Sequence, residues 1–207
     1  MGQSTSQRSS FIARLGTPTD EDGELKSVKN LPDFLTEGLV IVSIGINPSL
    51  PSVRNGYPFA NPRNRFWRAL NASKLVDEPL TPGVAAVERL LRNHRIGFTD
   101  VVKKPSAQAA QLSVSDFRRE APRLQDKLLR LRPRIAWFHG KTAFDKYLRY
   151  AEGRRHTFGW GLQDFRVSGT ICFVTPNPSP ANAAYSLDLL ISHYDRLAAV
   201  RVQVLQS

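Results

Sequence analysis

Leu39-Val40-Ile41-Val42-Ser43-Ile44 is a short, β-branched run that stops at Gly45 and passes directly into Ile46-Asn47-Pro48-Ser49. An apolar run of this length, closed by a breaker, predicts a buried strand over 39–44. Outward from it the same alternation recurs. Val84, Val87, Leu90 and Leu91 recur at helical spacing within 84–94, and 96–102 reads as a second strand. A helix follows over 115–131, with Ser115 as its cap and Phe117, Leu124, Leu128 and Leu131 on one face. Its other face carries Arg118, Arg119, Arg123, Lys127 and Arg130. A strand over 134–138, a helix over 141–150, a strand over 171–175 and a helix over 186–202 complete the series. Strand and helix in alternation predict an α/β fold, with a parallel sheet covered on both faces. Right-handed crossovers gather the strand C-termini at one edge, where such folds bind ligands.

That edge directs attention to the loops after the strands: Gly45-Ile46-Asn47-Pro48-Ser49, Lys103-Lys104-Pro105, His139-Gly140-Lys141 and Pro176-Asn177-Pro178-Ser179-Pro180. Two contain Asn-Pro, and a following proline holds the asparagine out of the α region. The first loop leads into Gly56-Tyr57-Pro58-Phe59-Ala60-Asn61-Pro62-Arg63-Asn64-Arg65-Phe66-Trp67. Together these resemble the first active-site motif of the mismatch-specific uracil (thymine) DNA glycosylases, a G-I-N-P-G loop followed by P-F-A and N-R-F-W. The resemblance continues through Gly97-Phe98-Thr99-Asp100-Val101-Val102, Pro133-Arg134-Ile135-Ala136 and Gly140-Lys141 to Pro176-Asn177-Pro178-Ser179. It spans about residues 38–200, in order.

The resemblance implies a three-layer α/β/α sandwich around a four-stranded, mainly parallel sheet, with a DNA groove across the strand C-termini. It implies a glycosylase that extrudes a uracil-like base, because the glycosidic bond is out of reach inside the stack. Cleavage builds positive charge on the sugar and negative charge on the leaving base, so the site needs a held water and donors aimed at the base. Asn47 suits the first task as an orienter that cannot ionise, and by resemblance it is the catalytic asparagine. Asp100 either activates water or stabilises the cationic sugar, or it only hydrogen-bonds local backbone. By resemblance Phe59 stacks on the extruded base, Ile46 offers a backbone N–H, and Ser49 and Asn177 face the base; Asn177 also reads as a simple Asn-Pro turn. Ser52, Arg63, Arg65, Lys141, Ser179, Pro180, Ala181 and Asn182 are the expected DNA contacts, although a basic residue taken alone is more often a solvated surface charge.

Two positions depart from the family pattern. Ser49 replaces the last glycine of G-I-N-P-G, and Pro180-Ala181-Asn182 stands where relatives carry a glycine, a bulkier wedge and a basic residue. Two alternatives follow: a low-turnover base-flipping protein that binds damage or abasic sites, and a glycosylase for deaminated purines such as hypoxanthine.

Composition agrees with one glycosylase domain over 31–207 after a flexible tail over 1–30. At 207 residues the chain supports one full core, and its 41% hydrophobic content excludes a disordered chain. No apolar run approaches the roughly 18 residues of a membrane span. The single cysteine, Cys172, excludes a disulfide framework and a cysteine-ligated metal, and fits a reducing compartment. No cofactor or metal is expected; His94, His139, His156 and His193 show no ligand spacing, and His139 reads as packed. Residues 1–37 hold four of the 29 basic and six of the 18 acidic side chains, which leaves a net +13 in 38–207. A basic folded part favours a polyanion, here double- or single-stranded DNA with uracil or a mismatch, bound by a monomer. The expected location is the bacterial cytoplasm at the nucleoid, or a nucleus in a eukaryote. Met1-Gly2-Gln3-Ser4-Thr5-Ser6 matches an N-myristoylation pattern, and the first 19 residues are Ser-rich and free of acids as in transit peptides; both are short enough to arise by chance.

Overall fold

Strand side chains alternate between faces, so a strand with helices on both sides is apolar throughout. Ile41, Ile135, Trp137 and Phe173 pack to one side, and Val42, Ile44, Ala136, Phe138, Cys172 and Val174 to the other. The computed structural model describes residues 30–206. The expected tail and its N-terminal patterns fall almost wholly in 1–29, outside the described residues. One sheet is formed by β1 (Ile41–Gly45), β2 (Ile96–Asp100), β3 (Ile135–His139), β4 (Gly161–Val167) and β5 (Thr170–Thr175), in the order β2-β1-β3-β5-β4. β1, β2, β3 and β5 are parallel, and β4 pairs antiparallel with β5 at the edge.

The helices are α1 (Leu50–Asn55), α2 (Phe66–Ala72), α3 (Val84–Arg92), α4 (Val114–Leu131), α5 (Lys141–Tyr150) and α6 (Leu187–Gln206). Residues of α2, α3 and α6, among them Leu70, Leu90 and Leu197, cover the first face of the sheet. Phe117, Leu124 and Leu128 of α4 and Phe144 and Leu148 of α5 cover the second. Removing one such buried leucine to alanine costs about 2–5 kcal/mol.

The sheet order positions the site. From β1 the chain crosses to β2 on one side and later to β3 on the other, so the loops leaving β1 and β3 diverge and open a crevice. The register aligns Gly45 with Asp100 and His139 with Thr175, so the strands end at a common edge. None of the described helices is long and apolar enough to cross a membrane.

Two expectations are corrected. The sheet has five strands, not four. β4 exposes Leu162, Asp164 and Arg166 on its outer face and interleaves polar with apolar residues, so it lacks the apolar run that marks the others. Ser168 and Gly169, with φ of 46° and 93°, close its hairpin to β5 as two left-handed residues, a turn that matches strand twist. The cap of α4 is Ser113, not Ser115: Ser113 Oγ accepts from the Asp116 amide at 3.2 Å while Asp116 Oδ2 accepts from the Ser113 amide at 3.0 Å, a reciprocal capping box. The short helices α1 and α2 give no periodic signal and were not expected.

Candidate active site

The loop after β1 continues the sheet pairing beyond the strand. The Val101 amide donates to Gly45 O at 2.9 Å, Val102 to Ile46 O at 3.0 Å, and Ser106 to Pro48 O at 3.2 Å. This brings the segment after β2 against Asn47. The Asn47 Nδ2 group donates to Ser106 Oγ at 2.8 Å, Lys104 O at 3.0 Å and Pro48 O at 3.3 Å. Two of these partners are backbone carbonyls, which only accept, so the amide orientation is fixed. No donor among the described residues reaches Oδ1.

Ser49 caps α1: its Oγ accepts from the Ser52 amide at 3.3 Å and bonds Ser52 Oγ at 2.9 Å. Ser52 Oγ in turn accepts from the Ala60 amide at 3.3 Å. This chain of hydroxyls ties the G-I-N-P-S loop to the P-F-A turn. Ser52 is buried at 2% exposure, so the expectation that it contacts DNA is corrected; its hydroxyl is spent inside the fold.

Phe59 has φ 57°, a left-handed conformation that a bulky side chain adopts at a cost of about 1–2 kcal/mol. Packing holds it there. Its ring stacks on Phe66 with centroids 4.1 Å apart and meets His139 edge-on at 5.0 Å. The Trp67 Nε1–H donates to Pro58 O at 3.2 Å and fixes the turn from beneath. With Phe66 on one face of Phe59, a flat guest must use the other.

Asp100 ends β2. A Cβ on Gly45 would lie 2.5 Å from Asp100 Oδ1, so only glycine lets the carboxylate approach the end of β1 so closely. Lys103 Nζ lies 3.3 Å from Asp100 Oδ2 and 2.9 Å from Asp33 Oδ1, and Lys127 Nζ lies 2.6 Å from Asp33 Oδ2. Burial raises the Asp100 pKa above its ordinary value and outweighs the opposing Lys103 charge. For Asp33 the two lysines and the Thr99 hydroxyl outweigh burial, and its pKa is lowered. The alternative in which Asp100 only binds local backbone finds no N–H partner among the described residues; its partner is a lysine.

The ends of β3 and β5 supply the opposite wall. His139 is 1% exposed; its Nε2 lies 2.8 Å from Ser43 Oγ, and Nδ1 has no hydrogen-bond partner. Burial pulls its pKa down to about 3, so the ring is neutral. Gly140, with φ 102°, passes close to Asn177, which a Cβ there would meet at 3.2 Å. Asn177 Oδ1 accepts from the Ser179 amide at 2.9 Å, which leaves Nδ2 with no acceptor among the described residues. Asn182 Nδ2 donates to Asn177 O at 3.0 Å.

Asn47, Asp100, Phe59, His139, Asn177 and Lys141 line one cavity of about 700 Å³ at the switch point of the sheet, with Ile46, Ser49, Ser52, Ser179, Ala181 and Asn182 around them. The fold therefore brings together both expected catalytic residues and all four expected base-binding residues. His139 was read as packed; it is packed, yet it also lines the cavity, and its place at the end of β3 before Gly140-Lys141 was the available signal. Trp160 and Tyr185 also line the cavity; both come from stretches without motif character.

The expected DNA contacts divide. Arg63, Lys141 and Ala181 are exposed, while Ser179, Pro180 and Asn182 are half-buried. Lys141 Nζ rests 4.8 Å over the Trp160 ring. Arg65 is turned inward, onto carbonyls of the loop after β5. The basic face of α4 is partly neutralised, since Arg119 pairs with Asp116 and Glu120, Arg123 with Glu120, and Lys127 with Asp33.

Away from the cavity, His94 Nε2 lies 3.7 Å from both Asp77 Oδ1 and Glu78 Oε1, a grouping that sequence spacing did not show. Arg89 Nε already holds Glu78 Oε1 at 2.6 Å and Arg201 lines the same hollow, so the cluster is an ion-pair network rather than a cation cage.

The profile of the uracil DNA glycosylase superfamily matches residues 32–199, a stretch that includes every residue of the cavity except Leu31. Among solved structures, the chain is similar to the solution NMR structure of a candidate uracil DNA glycosylase from Methanosarcina acetivorans, at 23% identity and a TM-score of 0.58, covering 86% of this chain and 98% of that one. That likeness bears on the fold. With the profile running from before β1 into α6, and the strand-end motifs converging on one crevice, the chain belongs to the uracil DNA glycosylase superfamily.

Proposed function

We propose that the protein is a monofunctional DNA glycosylase of the mismatch-specific kind, which turns uracil or a related deaminated or mismatched base out of DNA and hydrolyses its N-glycosidic bond. The observation that carries this is the fixed amide of Asn47: Nδ2 is held by three acceptors, and Oδ1 is left to accept from a water. An immobilised acceptor holds that water without reorganising as the reaction proceeds. Asp100 lines the same cavity, and its burial makes it a stronger base than an ordinary aspartate. It takes the water's proton or offsets the charge of the sugar. The base lies on the free face of Phe59, and the unengaged Nδ2 of Asn177 donates to a base oxygen as negative charge develops there.

Water is the attacker in this scheme: Lys103 is held protonated between Asp33 and Asp100, and Lys141 Nζ rests over the Trp160 ring as a cation. The product is an abasic site.

The cavity volume is ample for a purine as well as a pyrimidine, so hypoxanthine is the second reading. Single-turnover cleavage of oligonucleotides bearing uracil, thymine, hypoxanthine or etheno adducts, each opposite every base, tests both. Uracil processed fastest supports the first reading, and hypoxanthine fastest supports the second. Tight binding with no turnover on any base would leave only a damage-binding protein.

A further inference from the structure

Arg65 carries one of the positive charges beside the first motif, yet its donors do not face solvent. Its backbone N–H donates to Pro178 O at 3.1 Å. Its Nε donates to the same carbonyl at 3.4 Å, Nη2 to Ser179 O and Asn182 O at 2.9 Å each, and Nη1 to Tyr185 O. One guanidinium thus gathers four carbonyls from a single loop more than a hundred residues away. Carbonyls that converge in this way repel one another unless a cation sits among them, and only a planar fork with several donors reaches them all at once.

The loop so gathered runs from Asn177, whose side chain lines the cavity, through Ala181 to Tyr185. Its own bonds are few: Ser179 N to Asn177 Oδ1, Asn182 Nδ2 to Asn177 O, Asn182 N to Ser179 O, Ala181 N to Ser179 Oγ and a long one from Tyr185 N to Asn182 O. All of these bonds lie within the loop, so they set its local shape. Arg65 joins that shape to the body of the protein at the start of α2, one residue before the Phe66 ring that backs Phe59.

We propose that Arg65 is a positioning residue: it clamps the loop over 178–185 in the conformation that aims Asn177 at the base and sets Ala181 at the DNA, and it does not neutralise a phosphate. The inference rests on the glycosylase reading for its catalytic consequence, but the clamp itself does not.

The test compares Arg65→Lys, Arg65→Gln and Arg63→Gln in the full chain. Arg63 is exposed and its side chain has no partner among the described residues. A direct phosphate contact contributes about 0.9 to the slope of log K against log salt on undamaged duplex. Arg63→Gln is expected to lower that slope, and Arg65→Lys and Arg65→Gln to leave it unchanged. Both Arg65 variants are expected to slow single-turnover release of uracil by about 100-fold, the scale on which a displaced catalytic group acts. Both are also expected to raise amide hydrogen exchange across 178–185 while the strands stay protected. Arg65→Lys keeps the charge and serves where Arg65→Gln fails to fold. Unchanged exchange in Arg65→Lys, or a slope that falls in Arg65→Gln as it does in Arg63→Gln, overturns the proposal. If the wild-type protein releases no base at all, the glycosylase reading fails, and the exchange data still decide the clamp.

Discussion

Two side chains in the cavity, the largely covered Asp100 and the buried His139, titrate away from their ordinary values, and each has a measurable consequence. Burial raises Asp100 above 3.8, so its carboxylate takes up a proton at a higher pH than an exposed one. If it serves as the base, single-turnover rates fall as pH drops through that raised pKa, and Asp100→Asn abolishes this limb while lowering the plateau. A variant that keeps both limb and plateau removes Asp100 from the chemistry. His139 moves the other way, from 6.5 down to about 3. Between those values the unfolded chain binds the proton and the folded chain does not, so His139 makes stability fall as pH drops from about 6.5 toward 3. Replacing it with asparagine is expected to flatten the dependence of stability on pH in that interval, as read by urea unfolding at several pH values. An equally steep dependence in the variant would mean that His139 is not the group responsible.

Capping shows what could be read from sequence at the level of elements, and where the reading slipped. The apolar face of α4 was legible because Phe117, Leu124 and Leu128 recur at helical spacing. Its start was displaced because Ser113 and Ser115 are both plausible caps, and only Ser113 has an acid three residues on, at Asp116, to complete the box. Ser113→Ala should therefore destabilise the protein by about 1 kcal/mol, and Ser115→Ala by clearly less, in denaturant titrations; the reverse order would contradict the assigned cap. The parallel strands were legible because burial on both faces demands continuous apolar runs. β4 was not, because an edge strand with one wet face needs none, and the Ser168-Gly169 dipeptide was its only local mark. The motif loops gave the identities of the cavity residues, but not their hydrogen-bond partners. Nothing in the order of residues says that Arg65 meets Tyr185, or that Ser52 is buried beneath Ala60. Those contacts depend on how α1 and α2 return across the strand ends.

For the whole molecule, charge and the catalytic claim come together. The chain carries a net +11, and part of the surface charge is cancelled locally by the ion pairs of α4. Affinity for undamaged duplex should fall steeply with salt, through displaced counterions; a flat plot of log K against log salt would remove DNA as the partner. The most direct test of the central claim measures single-turnover uracil release and duplex binding together, for the wild-type protein and for Asn47→Ala. The fixed amide holds the water and not the DNA, so the variant should lose about 10²–10³ in rate and keep its affinity for uracil-containing duplex within a few-fold. A near-normal rate in Asn47→Ala, or a rate loss explained wholly by lost binding, would contradict the account.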